Sequence, residues 1–328
     1  MRAPESFAAV AALAACLAPP PAAAADSGTM LIANKRSNSL SRVDLVSGRE
    51  THEVASCTNP HELAVSPDRV HVALACYSGR ELEIYRTADL TRVKTIELGE
   101  DARPHGLIWH ANGAIYSTAQ GRGAIAVIRE PLSENPQLQE IGSGEGEGPH
   151  LLAVSRDGAL AWGTVVRSGT VVRYDIAAGQ ETARKVLGGQ VEGIALSADE
   201  GTLWVGSNDG AKAYRLDPAT LEVLAEVQTG STPIRIAAHP AGRWAVTSDL
   251  GDGQLSVIDG ESNTIARSVP VSGGRDAIQV TLVFSEDGSR LYAAETATNT
   301  VAEIDFESGE VLRRLPSGDG GDGLAVFK

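Results

Sequence analysis

Three histidines recur in one local setting, at Pro60-His61, Pro104-His105 and Pro149-His150, each followed by an apolar run. The same segment returns more weakly at Val191-Glu192, Pro233-Ile234, Gln279-Val280 and Gly321-Asp322, with steps of 44, 45, 42, 42, 46 and 42 residues between second positions. Four arginines, Arg36, Arg80, Arg122 and Arg167, fall in polar turns on the same beat, and Asp209, Asp249 and Asp252 take their place later in the chain. Three kinds of chemistry are open to such a set. A histidine entering a strand can simply cap neighbouring backbone. Imidazoles with forked guanidinium donors can bind an anionic small molecule such as a carboxylate or phosphate ester. Three imidazoles and one carboxylate, His61, His105, His150 and Glu192, form a donor set for a divalent metal.

Familiar catalytic signatures are missing. The chain has no G-x-S-x-G, no HExxH, no P-loop and no EF-hand loop. Nor does it contain a CxxC or CxxCH, so a covalent haem, a cysteine-zinc site and a thiol-redox pair have no motif, and no cofactor is named by the sequence. Ser197-Ala198-Asp199-Glu200-Gly201-Thr202-Leu203-Trp204 imitates a sialidase Asp-box, but it occupies a turn of the repeat and reads as turn chemistry.

The repeat dictates what must position these residues. A second marker keeps its beat: apolar runs end in Asp at Asp44, Asp175, Asp217, Asp259 and Asp305, with Arg86 and Arg129 in the two remaining places. Between the markers lie short runs rich in Val, Ile, Tyr and Trp, separated by turns such as Ser155-Arg156-Asp157-Gly158. A unit of 42–46 residues with four such runs is a propeller blade. The expected fold is all-β, a seven-bladed β-propeller of four-stranded antiparallel blades, in one domain over residues 26–328. The first unit lacks an inner strand and the last inner strand lacks a unit, so residues 323–327 should close the ring against the first blade. Blade 3 departs from the pattern at residues 121–137, where 130–136 replace a tight turn. In this fold the inner-strand entries and the loops between second and third strands surround one mouth of the channel, which is where the His, Arg and Glu residues should meet.

Composition sets the remaining bounds. Aromatic residues are only 4% of the chain, so Ala, Val, Leu and Ile must build the core. A net charge of −14 repels a phosphate backbone and argues against nucleic-acid partners. Residues 1–25 read as an export signal: Arg2, an apolar stretch at 7–18, Pro19-Pro20-Pro21, then Ala23-Ala24-Ala25 before Asp26. Leu13-Ala14-Ala15-Cys16 offers the alternative of a lipoprotein anchored at Cys16. Either route implies a periplasmic or secreted protein, and no segment is long enough for a spanning helix. A monomer is expected, with a small anionic ligand or a protein partner at the mouth. Export leaves two cysteines, Cys57 and Cys76, 19 positions apart on neighbouring blades and one face, and a disulfide between them is expected.

The chain also resembles a known family. Ile32-Ala33-Asn34-Lys35-Arg36-Ser37-Asn38-Ser39-Leu40-Ser41-Arg42-Val43-Asp44 is similar to the YVTN or YncE-like propeller repeat, as are Asn299-Thr300-Val301-Ala302-Glu303-Ile304-Asp305 and the Pro-His-x-x-Ala-Val-Ser-Pro-Asp stretch at 60–68. The resemblance spans the mature chain and implies the propeller, in a group of mixed functions. Asn59-Pro60-His61 through Asp68, followed by Ala75-Cys76-Tyr77-Ser78-Gly79, looks like a stretch of the more distant lactonase-like propellers. That likeness implies a hydrolase as the alternative to a non-catalytic binding module, with His61, His150, Glu192 and Arg122 as its candidates.

Overall fold

A computed structural model describes residues 28–142 and 148–328. Residues 1–25, expected to be an export signal, and Cys16 within them lie outside the described residues. Among those described, 28 strands, β1 to β28, form seven four-stranded sheets. Each of blades 2 to 7 takes four consecutive strands, and neighbouring strands pair antiparallel throughout. Blade 1 is the exception. Its strands β1 (Thr29–Asn34), β2 (Ser39–Asp44) and β3 (Arg49–Ala55) are completed by β28 (Gly321–Phe327), which pairs with β1. The propeller and its closure are therefore as the repeat requires, and the ring has no open inner edge. No helix among the described residues is long and apolar enough to cross a membrane.

The inner strands line the channel: β4 (Pro60–Val65), β8 (Pro104–Trp109), β12 (Leu151–Val154), β16 (Val191–Leu196), β20 (Pro233–Ala238), β24 (Gln279–Phe284) and β28. Where these strands enter from the mouth, the register slips. Pro60 faces Cys76 but Leu63 faces Leu74, so His61 and Glu62 together oppose one residue. Similar shifts occur at the start of β8, β16, β20 and β24, and in β28. A bulge of this kind re-aims side chains that a regular ladder would alternate between faces. Close packing of the inner strands sets a further limit. A Cβ on Gly106 would lie 2.9 Å from the Leu151 Cα, and one on Gly193 2.9 Å from the Arg235 Cα. Glycine after the second repeat position is thus what lets neighbouring inner strands touch.

Apolar clusters fill the gaps between blades. One joins blades 2 and 3 through Ala73, Leu82, Ile84, Leu107, Ile115 and Ile128. The few aromatics go deepest, with Tyr85, Tyr116, Tyr174 and Tyr292 fully buried. The turns at the far end follow one rule. Ser66, Ser155, Ser197 and Ser285 each donate to the Asp two residues on, at 2.5–2.7 Å, so the Asp-box-like segment is one turn of four. In blades 3 and 6 the serine is replaced by His110 and His239. Each ring accepts an amide N–H of its own turn and donates to a carbonyl of the next blade, Ser155 or Gly288.

Candidate functional site at the channel mouth

The structure brings the three repeat histidines together. The ring centres of His61 and His105 are 4.8 Å apart, and those of His105 and His150 only 3.7 Å. Tyr77, the residue after β5 (His71–Cys76), packs 4.6 Å from His61 and edge-on to His105 at 5.2 Å. The result is a continuous wall of four rings contributed by blades 2, 3 and 4. His105 is 1% exposed, and its Nδ1 has no hydrogen-bond partner. His61 and His150 flank it and keep some exposure.

Both flanking rings are oriented from behind. The Nδ1 of His61 lies 3.1 Å from the Asn59 carbonyl, which can only accept, so this nitrogen carries the proton and Nε2 is left with its lone pair. The Nδ1 of His150 faces Gln120 Oε1 at 3.1 Å. Its Nε2 faces Glu192 Oε1 at 3.4 Å.

Opposite the rings lies a charged floor. Glu192 accepts from Asn208 Nδ2 at 2.8 Å and is bridged by Arg235. The same guanidinium reaches across the axis to Glu62 of blade 2, Nη2 to Oε1 at 3.3 Å. Asp322 completes the floor, accepting from Lys35 Nζ at 2.9 Å and from Thr281 at 3.3 Å. Arg235 is therefore a strut between blades 6 and 2 with its charge shared by two carboxylates.

Burial and charge set the protonation states. Burial pushes His61 down to about 4, against a smaller pull upward from Asp322. It pushes His105 well below the ordinary histidine value, and a proton on His150 or His61 beside it would push it further. Both imidazoles are neutral at pH 7. For Glu192 burial acts upward, but Arg235, His150 and Asn208 outweigh it and hold the carboxyl at about 2. Glu62 goes the other way, raised because burial exceeds the opposing charge of Arg235. Asp322 is held low against burial, chiefly by Lys35.

The four loop arginines do not join this ring. Arg36 faces Asp319 at 3.8 Å, Arg80 pairs with Glu97 and Glu100, and Arg122 pairs with Glu140 at 2.6 Å. Arg167 is exposed on the loop between Val165 and Thr170. Arg80 instead lines a rim cleft of about 530 Å³ with Glu100, Asp101 and Arg103, and Tyr77 is common to cleft and ring. Arg103 donates to the Tyr77 hydroxyl at 2.6 Å. The two cysteines are joined in a disulfide, Cα atoms 5.7 Å apart, which anchors the residue before Tyr77 to the connection leading into β4.

Sequence reasoning did not single out Arg235, Glu62, Asp322, Lys35 or Gln120. Glu62 and Arg235 could have been found at the third repeat position, held elsewhere by Gly, Leu or Thr, and Asp322 at the second, where the three histidines and Glu192 stand. Among the described residues, no serine, threonine or cysteine side chain hydrogen-bonds an imidazole of the ring. What the ring offers is neutral imidazole nitrogens, an acid–base pair at His150 and Glu192, and aromatic faces.

Fold and site together define a seven-bladed β-propeller with a cluster of rings and paired charges at one channel mouth. Among solved structures the chain is similar to streptogramin B lyase, with a TM-score of 0.69 and 20% identity, covering 81% of this chain and 87% of that one. At that identity the likeness is one of fold. No protein-family model and no curated protein sequence matches the chain.

Proposed function

We propose that this chain is an exported β-propeller that binds a small neutral or cationic ligand in its channel mouth. The observation that carries the reading is the wall of Tyr77, His61, His105 and His150 facing a floor whose cations are already paired. An anion would have to compete with Glu62 and Glu192 for Arg235 and with Asp322 for Lys35. The signal-like residues 1–25 and the Cys57–Cys76 disulfide support export. The test is a melting-temperature screen against neutral, cationic and anionic small molecules, repeated with His150→Ala. A stabilising neutral or cationic compound whose effect disappears in the variant is the expected result. Stabilisation by carboxylates or phosphate esters alone, or by nothing in a broad panel, would overturn the reading.

A second reading rests on one contact. His150 is held at Nδ1 by Gln120 and meets Glu192 at Nε2, an arrangement suited to general acid–base chemistry. It fits the lactonase-like resemblance, and the structural neighbour is itself named a lyase. Turnover on a panel of lactones, lost in His150→Ala, would establish it. No turnover on any member removes it.

A further inference from the structure

We propose that the end of the propeller opposite the mouth carries a second binding site, a cleft between blades 2 and 3 that takes a small organic cation with an apolar body, an aryl-alkyl amine being the simplest case. The site owes nothing to the reading of the mouth, and either can stand without the other.

The cleft exists because blade 3 breaks the repeat. In blades 1 and 7 a tight turn joins the two outer strands, and Asp44 or Asp305 accepts from the amide three residues on, at 2.7 and 2.9 Å. In blade 3 the corresponding residue is Arg129, whose side chain has no acceptor to offer. Strands β10 (Ala124–Arg129) and β11 (Gln137–Gly142) pair as far as Arg129↔Gln137, so residues 130–136 lie outside the ladder. Lys94 of β7 (Arg92–Glu97), on blade 2, donates to the Ser133 carbonyl and ties this loop down. Between the loop, the Ser66-Pro67-Asp68 turn of blade 2 and residues 109–113 of blade 3 lies a cleft of about 570 Å³. That size suits a small organic molecule, and so does a largely apolar wall with a few polar groups. Pro67, Trp109, Pro131 and Leu132 supply the wall, and Leu132 remains 46% exposed, an apolar side chain that the fold itself does not cover.

Charge selects the ligand. The lining holds two carboxylates, Asp68 and Glu130, and among the described residues no lysine, arginine or histidine. Asp68 is already satisfied by the Ser66 hydroxyl and the Val70 amide, at 2.5 and 3.1 Å, which hold it below the usual carboxylate range. Glu130 is different: its side chain is exposed and its carboxylate has no hydrogen bond or ion pair among the described residues. The hydroxyl of Ser133, on the same loop, is buried without a partner. A carboxylate beside an apolar wall attracts a cation more strongly than one in open water, because less solvent screens it. An ammonium group meets Glu130 while its hydrocarbon lies along Pro131, Leu132 and Trp109. An anion finds no free cation here. Lys94 is engaged by the Ser133 carbonyl, and Arg129 is engaged by Gln139 in an adjoining cleft of about 540 Å³ that shares Asn112, Gly113 and Glu130.

The experiment titrates the ¹⁵N-labelled, disulfide-intact protein with 1-naphthylmethylamine, 1-naphthalenemethanol and 1-naphthaleneacetate at pH 7. The indole N–H signals of the four tryptophans are followed by NMR, with Trp109 assigned through Trp109→Phe. The expected result is that the amine moves the Trp109 signal and binds about fivefold more tightly than the alcohol, the upper range for an exposed ion pair. The carboxylate should bind more weakly than either. Glu130→Gln should abolish the preference for the amine over the alcohol. Leu132→Ser should weaken amine and alcohol alike, by about threefold, as apolar contact is lost. Both substitutions fall on a loop outside the ladder, at exposed positions, so both variants should melt with the wild type. A Trp109 signal that no probe moves, an amine no tighter than the alcohol, or amine binding indifferent to both loop variants overturns the proposal. Amine binding that leaves Trp109 still and disappears in His150→Ala belongs to the mouth: it supports that reading while this one fails.

Discussion

Arg235 and Glu62 are 173 residues apart in the chain and meet across the channel axis, guanidinium to carboxylate at 3.3 Å. With Glu192 on its other nitrogen, Arg235 makes blades 2, 5 and 6 depend on one buried cation. Burial of ions costs several kcal/mol each, so the trio contributes little net stability, but removing its one positive member strands two carboxylates.

Arg235→Ala should therefore destabilise the protein by about 3–5 kcal/mol, read from urea unfolding at pH 7. The triple replacement Arg235→Met, Glu62→Leu, Glu192→Leu should recover most of that loss, because no unpaired charge remains. A single variant within about 0.5 kcal/mol of wild type, the range of ordinary surface changes, would show that the strut is not formed.

Acid should weaken the fold in a defined window. The folded-state value of His61 lies near 4 against 6.5 for an unhindered histidine, so below 6.5 the unfolded chain takes up a proton that the folded chain refuses. Stability is complete above that value and falls as pH drops towards 4, by about 2 kcal/mol at pH 5 from this group. His105 acts in the same direction, while Glu62, raised by burial, gains a proton more readily when folded and opposes the loss. His61→Gln should flatten the urea midpoint between pH 7 and 5. An unchanged slope in that variant would mean His61 is not the neutral, desolvated group found here.

The limits of the sequence follow from the same contacts. Blade number and ring closure were legible because two markers share one period and the two ends lack complementary strands. The histidine cluster was legible because equivalent positions on adjacent blades must be neighbours. Arg235 was hidden: its repeat marker is Ile234, and a one-residue register slip puts the functional side chain at the next position. Its partner Glu62 lies across the axis, a relation no repeat encodes. The loop arginines were placed on the correct face, but carboxylates of neighbouring strands and connections, Glu97, Glu100 and Glu140, claim Arg80 and Arg122 before they reach the ring.

The disulfide should matter to both stability and site. It closes a 19-residue separation, for which chain entropy predicts about 3 kcal/mol. Cys76 directly precedes Tyr77, and Cys57 is three residues before Pro60-His61, so the bridge also holds two rings of the wall. Cys57→Ser with Cys76→Ser should lower the melting temperature and weaken ligand binding together. Alkylation of two thiols in unreduced protein prepared from an oxidising compartment would show that the bridge does not form.

Closure by β28 makes the last prediction. Its residues pair with β1 from Thr29↔Phe327 to Asn34↔Gly321, and Leu324 joins the apolar cluster between blades 7 and 1. The strand also carries Asp322, the partner of Lys35 and the carboxylate whose charge acts on His61. Deleting residues 321–328 removes the inner strand, opens the edge of β1 and uncovers Met30 and Ile32, both fully buried. The truncated chain should be insoluble or melt far below the full one. Asp322→Asn separates the two roles: it keeps every ladder pair, so the ring stays closed, but it leaves Lys35 without its counter-charge and removes one negative charge from the floor. That variant should fold, lose about 1–3 kcal/mol for the unpaired buried group, and bind a cationic ligand more weakly. Full stability in the truncation, by calorimetry, would show that the ring closes without this strand.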